Sequence, residues 1–255
     1  MRGKVVLSLM LALVAAQLSS CDRKTYDPTL AGDYFPLRPG STWTYRITEN
    51  AGHSRTNSHT LTERVLRRTG AQASEVDSEY SGPSGVLNST IIYIAEHGYL
   101  TRQSIISRGA GLASAEPAFL PQLLKPNLTW SNSLVPFVQQ PDAFQVTQTH
   151  RTFFDSGTVE VPAGNFSGCI RIESVTLYRS SLNSNLPLKL HYVDWYAPHV
   201  GLVKTLVERD GLFGSELARI ELLKFGYRQP DTTHPLPISA SNVSFDGSMD
   251  PGTRK

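Results

Sequence analysis

Residues 90–101 read TIIYIAEHGYLT, and this stretch decides the fold class. Two short runs of β-branched, aliphatic and aromatic residues flank the pair His97 and Gly98. Such residues favour strands, and glycine adopts a positive φ without steric cost, so the chain can reverse direction at Gly98. Two runs joined by so short a turn predict an antiparallel β-hairpin.

Further runs of the same kind follow on both sides of this hairpin. Residues 43–48 (WTYRIT) alternate apolar and polar side chains, as a half-buried strand does. The other predicted strands lie at residues 143–154, 158–161, 169–178, 188–196, 200–207 and 215–227. The last of these also fits a helical pattern, and we favour the strand.

Helical patterning is scarce. Residues 117–125 (PAFLPQLLK) predict one short helix, which Pro121 limits. Many strands with turn signals between them predict an all-β fold. We therefore expect a single domain with a long curved antiparallel sheet, in an open barrel or a sandwich, and at most one short helix.

One predicted strand, residues 169–178, changes phase along its length. Ile170 and Ile172 share one face, whereas Val175 and Leu177 share the other. A shift of the apolar face within one strand predicts a β-bulge or a sharp bend, which curved sheets require.

The amino terminus has the pattern of an export signal. Arg2 and Lys4 precede an apolar run at residues 5–16 (VVLSLMLALVAA). A helix needs about 20 apolar residues to span a bilayer, so this run is too short for a membrane span. It predicts a signal peptide over residues 1–20.

The end of this leader resembles the lipobox of bacterial lipoproteins. It reads LSSC at residues 18–21, an aliphatic residue and two small residues before a cysteine. The resemblance implies that Cys21 is acylated and becomes the first residue, with residues 21–32 as a tether to the membrane. Asp22 resembles an inner-membrane retention signal. The alternative is an ordinary secretory signal in which the cysteine occurs by chance.

Charge excludes one class of function. The chain has 24 Lys and Arg residues against 22 Asp and Glu residues, and Arg2 and Lys4 lie in the leader, so the remainder is neutral. A general nucleic-acid binder needs a surplus of positive charge, so we expect no nucleic-acid partner. Residues 33–228 are the predicted all-β domain, and residues 229–255, rich in Pro, Ser and Asp, a disordered tail.

Three stretches resemble an uncharacterised family of bacterial envelope lipoproteins. Residues 33–45 resemble its opening motif, YFPL-x-PG-x-x-W-x-Y; residues 159–166 resemble its VPAG-x-F turn; and residues 195–204 resemble its WYAP-x-VGLVK motif. His199 stands where glycine is usual in that family. The resemblance implies a curved antiparallel sheet and brings no catalytic residue.

Only a weak binding signal is present. Trp195 and Tyr196 are adjacent, so in a strand they face opposite sides, one in the core and the other on a concave surface. These two are the predicted binding residues. Cys169 lies in a strand-like context with no basic neighbour to activate it, which predicts a buried, inert thiol.

No catalytic or metal-binding pattern emerges, and we expect no cofactor and no metal. His191 and Asp194 are three residues apart and would face opposite sides of a strand. The seven histidines are scattered, which favours surface positions; they are His53, His59, His97, His150, His191, His199 and His234.

The sequence therefore predicts a lipid-anchored protein outside the cytoplasm, facing the periplasm or exterior, with Asp22 favouring the inner membrane. Its partners would be the membrane, through lipid on Cys21, and an unidentified ligand or envelope protein bound on the curved sheet. The leading hypothesis is non-enzymatic. The alternatives are an envelope enzyme whose site is assembled from distant residues, or a structural subunit of an envelope complex.

Overall fold

The structure, a computed structural model, describes residues 30–50, 56–70, 72–83, 85–106, 112–136, 144–180, 188–209 and 216–227. In these ranges the one helix, α1, spans Ala31–Tyr34. The first seven strands are β1 Ser41–Asn50, β2 Thr56–Thr69, β3 Ala73–Gly82, β4 Gly85–Glu96, β5 Tyr99–Ile106, β6 Leu112–Pro121 and β7 Thr129–Pro136. The next seven are β8 Phe144–Phe154, β9 Thr158–Val161, β10 Gly164–Ser167, β11 Ile170–Ser180, β12 Leu188–Ala197, β13 Gly201–Arg209 and β14 Glu216–Tyr227.

Twelve of these strands form one closed antiparallel ring, and β9 and β10 form a separate hairpin. Each ring strand pairs with its neighbours along the chain, with the β9–β10 hairpin inserted between β8 and β11. β1 closes the ring by pairing with both β2 and β14. The predicted all-β fold with one curved antiparallel sheet is confirmed, and the sheet closes on itself instead of remaining open or dividing into a sandwich.

The strands run alternately up and down, so successive connections fall at opposite ends of the barrel. The turn between β4 and β5, residues 122–128 and residues 198–200 lie at the end where α1 enters. We call this the plugged end, and residues 30–40 the plug. We call the opposite end of the barrel, where β1, β5, β7, β11 and β13 end, the far end.

The hairpin predicted from residues 90–101 is confirmed. β4 and β5 pair with Glu96 opposite Tyr99, so only His97 and Gly98 form the turn. Both have positive φ, 50° and 79° respectively. This left-handed pair suits the right-handed twist of the strands that it joins.

The short helix predicted at residues 117–125 is wrong. β6 continues to Pro121, and Leu120 pairs with Leu100 of β5 while its side chain is buried. Burial against the neighbouring strand outweighs the weak helical pattern. The observed helix is α1, and the ambiguous segment at 215–227 forms the strand β14.

A β-bulge or a sharp bend was the prediction for residues 169–178, and the bulge is wrong. β11 pairs in unbroken register with both β8 and β12. Ser174 and Thr176 are buried on the same face as Ile172, whereas Val175 and Leu177 alternate with them. The backbone keeps its phase, and what changes along the strand is the polarity of the inner face.

The plug fills the lumen at its end of the barrel with aromatic side chains. Tyr34 is fully buried, and Phe35 meets three rings edge-on. The ring centroids of Tyr93, Phe119 and Tyr196 lie 5.0, 5.6 and 6.2 Å from that of Phe35. Edge-to-face packing at these distances adds to the stabilisation from buried apolar area.

The three stretches that carry the family resemblance lie together at the plugged end. The indole N–H of Trp43 donates to the carbonyl of Val200, which joins the first stretch to the third. The N–H of Ala163, in the β9–β10 hairpin, donates to the carbonyl of Leu222 in β14. These hydrogen bonds therefore tie β1 to the turn before β13, and the β9–β10 hairpin to β14, at the plugged end.

The position where His199 replaces the glycine usual in that family is a tight turn. His199 has a φ of 61°, and its N–H donates to the carbonyl of Asp33 at 2.6 Å. This region of backbone space favours glycine, and histidine is among the residues that also enter it.

Cys169 is buried, as predicted, and its Sγ lies 3.6 Å from the carbonyl oxygen of Phe166. Burial, together with the charge of Asp155, raises the pKa of the thiol to about 11. The described ranges contain no helix with the length and apolarity that a membrane crossing requires.

Candidate functional site

A cavity of about 420 Å³ lies inside the ring. Inner side chains of ten strands line it: β1, β2, β5 to β8 and β11 to β14. Eight strands enclose a space that side chains just fill, whereas a wider ring leaves room for a ligand or for water. The volume falls within the range of small-molecule sites, about 300–1,000 Å³.

Four charged side chains line this cavity. They are Glu63 of β2, Arg102 of β5, Glu116 of β6 and Asp194 of β12. Arg102 and Glu116 lie opposite each other on neighbouring strands, with Nη2 and Oε2 at 2.6 Å. This ion pair fixes the guanidinium at one side of the lumen.

The carboxyl group of Asp194 is held by the next strand. Thr205 Oγ1 donates to Asp194 Oδ1 at 2.6 Å. Burial raises the pKa of Asp194 to about 6, against the opposing effects of the Thr205 hydrogen bond and of Arg102. Burial also raises the pKa of Glu63, and attraction to Arg102 opposes that rise. Both carboxyl groups are therefore less acidic than they would be in water.

His150 is the inward-facing histidine of β8. Its Nδ1 lies 2.7 Å from Ser174 Oγ, and its ring stacks on Trp130 with centroids 4.8 Å apart and planes 16° apart. Burial lowers its pKa to about 4, so the imidazole is neutral at pH 7. The residue is only 7% exposed, and its Nε2 has no hydrogen-bond partner among the described residues.

Asn132, on the neighbouring strand β7, is also buried and also has a side-chain atom without a hydrogen-bond partner among the described residues. Its Nδ2 donates to the carbonyl of Ala118 at 3.3 Å. Its Oδ1 has no partner among the described residues, and the residue is 7% exposed. A buried polar atom that no protein group satisfies normally meets a water molecule or a ligand.

Tyrosines complete the polar wall of the cavity. Tyr45 and Tyr196 lie towards the plug, and Tyr178 and Tyr192 line the rest. Burial raises the pKa of Tyr45, Tyr192 and Tyr196, so their hydroxyl groups stay protonated at neutral pH. Each offers a hydroxyl group and an aromatic face to a bound molecule.

The two residues predicted to bind a ligand lie on opposite sides of β12. Tyr196 lines the cavity and packs against the plug. Trp195 is half-buried outside the lumen: its Nε1 donates to Asp155 Oδ2 at 3.2 Å, and Lys204 Nζ lies 5.6 Å from its ring centroid. The structure thus brings only Tyr196 to the cavity, and a binding role for either residue stays a prediction. Cys21, the predicted lipid attachment site, lies outside the described residues.

The expectation of surface histidines is wrong for His59 and His150, both of which are buried. His59 Nε2 lies 3.4 Å from Glu49 Oε2. A lumen with polar walls gives a histidine hydrogen-bonding partners inside the barrel, which a solid apolar core would not. His53 and His234 lie outside the described residues.

His191 and Asp194 are separated, as their spacing predicts. His191 Nδ1 lies 3.5 Å from Glu208 Oε2, whereas Asp194 lines the cavity. Among the described residues, no group of three or more His, Cys, Asp or Glu side chains is arranged to hold a metal ion.

Ser174 and His150 resemble a nucleophile and its base, but their surroundings do not support acyl transfer. With a pKa of about 4, His150 is a weak base at neutral pH. Backbone N–H groups of paired strands donate to the ladder, so the wall offers few of them to stabilise an oxyanion. The arrangement suits binding better than catalysis.

Sequence patterns missed Glu63, Arg102, Glu116 and His150 as a group, because they come from four strands separated along the chain. One usable signal was the inner face of β11, where Ile172 gives way to Ser174 and Thr176. Within one strand, a change from apolar to polar side chains on the same face marks where the lumen becomes polar.

Comparison with known proteins identifies solved structures that share this fold. No protein-family model and no curated protein matches the chain. A solved structure of a Parabacteroides distasonis protein, described as a lipoprotein, is 16% identical, with a TM-score of 0.52 over 79% of this chain and 100% of that one. A Bacteroides fragilis protein, described as exported and as having a YmcC-like fold, is 15% identical, with a TM-score of 0.50 over 78% of this chain and 99% of that one. The chain shares the fold of these two proteins.

Proposed function

We propose that this protein is a lipid-anchored, extracytoplasmic bacterial protein that binds a small polar ligand in the lumen of its barrel. The observation that carries the binding role is the pair of buried, unpartnered atoms, His150 Nε2 and Asn132 Oδ1, in a cavity of about 420 Å³. Leaving such groups unsatisfied costs about 1–3 kcal/mol each, which a ligand that bonds to them would recover.

Two observations support the location. Both structural neighbours are described as a lipoprotein or as an exported protein. In addition, Leu30 enters the fold at the plugged end, close to Cys21 in the sequence. Nine residues reach at most about 30 Å when extended, so an anchored barrel would stand with its plugged end near the membrane and its cavity towards the far end.

Native mass spectrometry tests the binding role. The full chain is extracted from bacterial envelopes in detergent, and the mass of the folded protein is compared with that of the denatured protein. We expect the wild type to carry a small molecule that Asn132→Leu loses, because leucine removes the acceptor without emptying the space. Ser131→Leu is the matched control, since Ser131 is exposed on the other face of β7.

A melting curve of Asn132→Leu shows whether the variant is folded. If both variants retain the added mass, or if no molecule accompanies the folded wild type, the lumen is not the binding site that we propose.

The anchor is tested through the two cysteines of the chain. Cys21→Ala should abolish labelling by radioactive palmitate and release the protein from the membrane fraction. Cys169→Ala is the control and should remain labelled, because its thiol is buried. Labelling of Cys21→Ala would refute lipid attachment at that residue.

A further inference from the structure

Three carboxylates approach the lumen from three directions. Glu63, Glu116 and Asp194 lie on β2, β6 and β12, and each of these strands is four places from the next around the closed ring. The three carboxylates therefore line the cavity on three sides and are not spread along one wall.

Positive charge inside the cavity is scarce. Among the described residues that line it, Arg102 carries the one permanent positive charge, and it is paired with Glu116 at 2.6 Å. His150 is neutral above about pH 4. Glu63 and Asp194, when ionised, are consequently balanced only by their longer-range attraction to Arg102.

Hydrogen-bond acceptors are prominent in the cavity wall, beside the hydroxyl donors of its tyrosines. The three carboxylates accept only, and the unpartnered oxygen of Asn132 accepts as well. Thr205 already donates to Asp194, and Arg102 forms an ion pair with Glu116. A molecule that completes this wall must bring donors and positive charge together.

We propose that the ligand of this cavity is an organic cation that carries a protonated amine. This inference rests on the proposed binding function and names its ligand class. An ammonium group supplies three donors and one charge, and the groups that can accept from it are Glu63, Asp194 and the Asn132 oxygen. The faces of Tyr45, Tyr178 and Tyr192 can pack on its carbon chain or attract its charge.

Other ligand classes fit less well. An anion would meet uncompensated carboxylates, and a neutral polyol would leave Glu63 and Asp194 without a counter-charge. A bare metal ion would need several ligands gathered at one point, whereas the described carboxylates lie on strands that are spaced around the ring.

Calorimetric titration of the full chain in detergent tests whether binding requires a positive charge on the ligand. Two matched pairs of probe molecules are used. Cadaverine is compared with 1,5-pentanediol, and glucosamine with glucose, at pH 7.5. Within each pair the molecules differ by amine against hydroxyl. We expect at least one amine to bind with a Kd below roughly 10 mM and at least tenfold more tightly than its hydroxyl partner.

Variants then assign the binding to the cavity. Glu63→Gln and Asp194→Asn should each weaken amine binding by about tenfold, because each removes one counter-charge and keeps the shape. Glu79→Gln removes an exposed carboxylate on the outer face of β3 and should leave the affinity unchanged.

Affinity should also fall below pH 6, as Asp194 takes up a proton. The other titratable and charged groups that line this cavity are Glu63, Arg102, Glu116, His150 and the cavity tyrosines. Of these, Glu63 has its pKa raised by burial and should reinforce the same trend.

Equal affinity for amine and hydroxyl probes, amine binding insensitive to Glu63→Gln and Asp194→Asn, or no binding of either amine would each overturn the cation inference. The mass experiment separates this failure from that of the proposed function. A neutral or anionic molecule that is retained by the wild type and lost from Asn132→Leu would leave the binding function standing and remove only the ligand class.

Discussion

The two halves of the lumen differ in chemistry although the same strands build both. At the plugged end, Phe35 packs among aromatic rings, and Leu120 and Ile170 are fully buried. Beyond the plug, the inner faces carry Glu63 and Asp194 around a cavity. The plugged half supplies the apolar burial that holds the ring closed, and the cavity half carries the polar and charged groups.

Along β11 the transition takes place within four residues of one face. Ile170 is buried in the plugged half, Ile172 borders both the apolar cluster and the cavity, and Ser174 lines the cavity. Because the register is unbroken, no change in backbone geometry accompanies the switch. The effects of substitutions on the free energy of unfolding should therefore differ between the two halves in size and even in sign.

The largest effect is expected in the plugged half. Trp43→Ala should lower the free energy of unfolding by about 3–5 kcal/mol, because it empties a buried aromatic site and removes the hydrogen bond to Val200. Chemical denaturation measures the change. Thr44→Ala, on the other face of β1, is the control and should cost much less. If Trp43→Ala lowers the free energy of unfolding by less than about 1 kcal/mol, the plugged half is not the main source of stability.

A smaller loss is expected where the plug meets β13. Gly201 has a φ of 105°, and a Cβ there would lie 3.4 Å from Trp43 Nε1 and 3.7 Å from Pro36. Gly201→Ala should therefore destabilise by about 1–3 kcal/mol, as judged by thermal melting. Gly98→Ala is the matched control, since its φ is 79° but a Cβ meets nothing within 4 Å. Equal losses would mean that backbone strain alone matters and that the plug is loosely packed.

The smallest effect, with the opposite sign, is expected in the cavity. The pKa of Asp194 is raised by burial to about 6, so the fold disfavours its ionised form and loses stability as the pH rises through 6. Asp194→Asn escapes this loss and keeps an oxygen for Thr205 to donate to. Its free energy of unfolding should rise by about 1–2 kcal/mol at pH 8, and its Tm should rise by roughly 2–4 °C for each kcal/mol. At pH 4 the substitution should change the stability by almost nothing.

Asp77→Asn, at an exposed position on β3, is the control for this pH series and should show no such gain. A Tm of Asp194→Asn at pH 8 equal to or below that of the wild type would show that the cavity leaves Asp194 as well hydrated as a surface carboxylate.

Strand prediction succeeded where one face of a strand is continuously apolar and failed where polar residues interrupt that face. The runs around Trp43, Tyr93 and Val203 alternate because their inner residues enter the apolar half. β3, with the sequence ASEVDSEYSG, was not predicted, because its inner face carries Ser74 and Ser78. Serines on the inner face of β3 break the alternation on which strand prediction depends.

The candidate site shows the same limit more strongly. Tyr196 was expected on a concave surface and lines the cavity, but its charged neighbours there were not predicted. Glu63 and Asp194 are 131 residues apart by their numbers, and no local pattern links them. Spacing along a strand says which residues share a face, and it says nothing about which strands face one another.

By itself the sequence determined the strands with an apolar face, the tight turn at His97 and Gly98, and the all-β class, because these depend on side-chain alternation and on the φ of a few residues. It also carries the leader and Cys21, on which the predicted anchor rests. Only the tertiary structure decided that the sheet closes, since closure depends on β1 meeting β14 from the other end of the domain. Closure in turn creates the interior that three carboxylates from distant strands line.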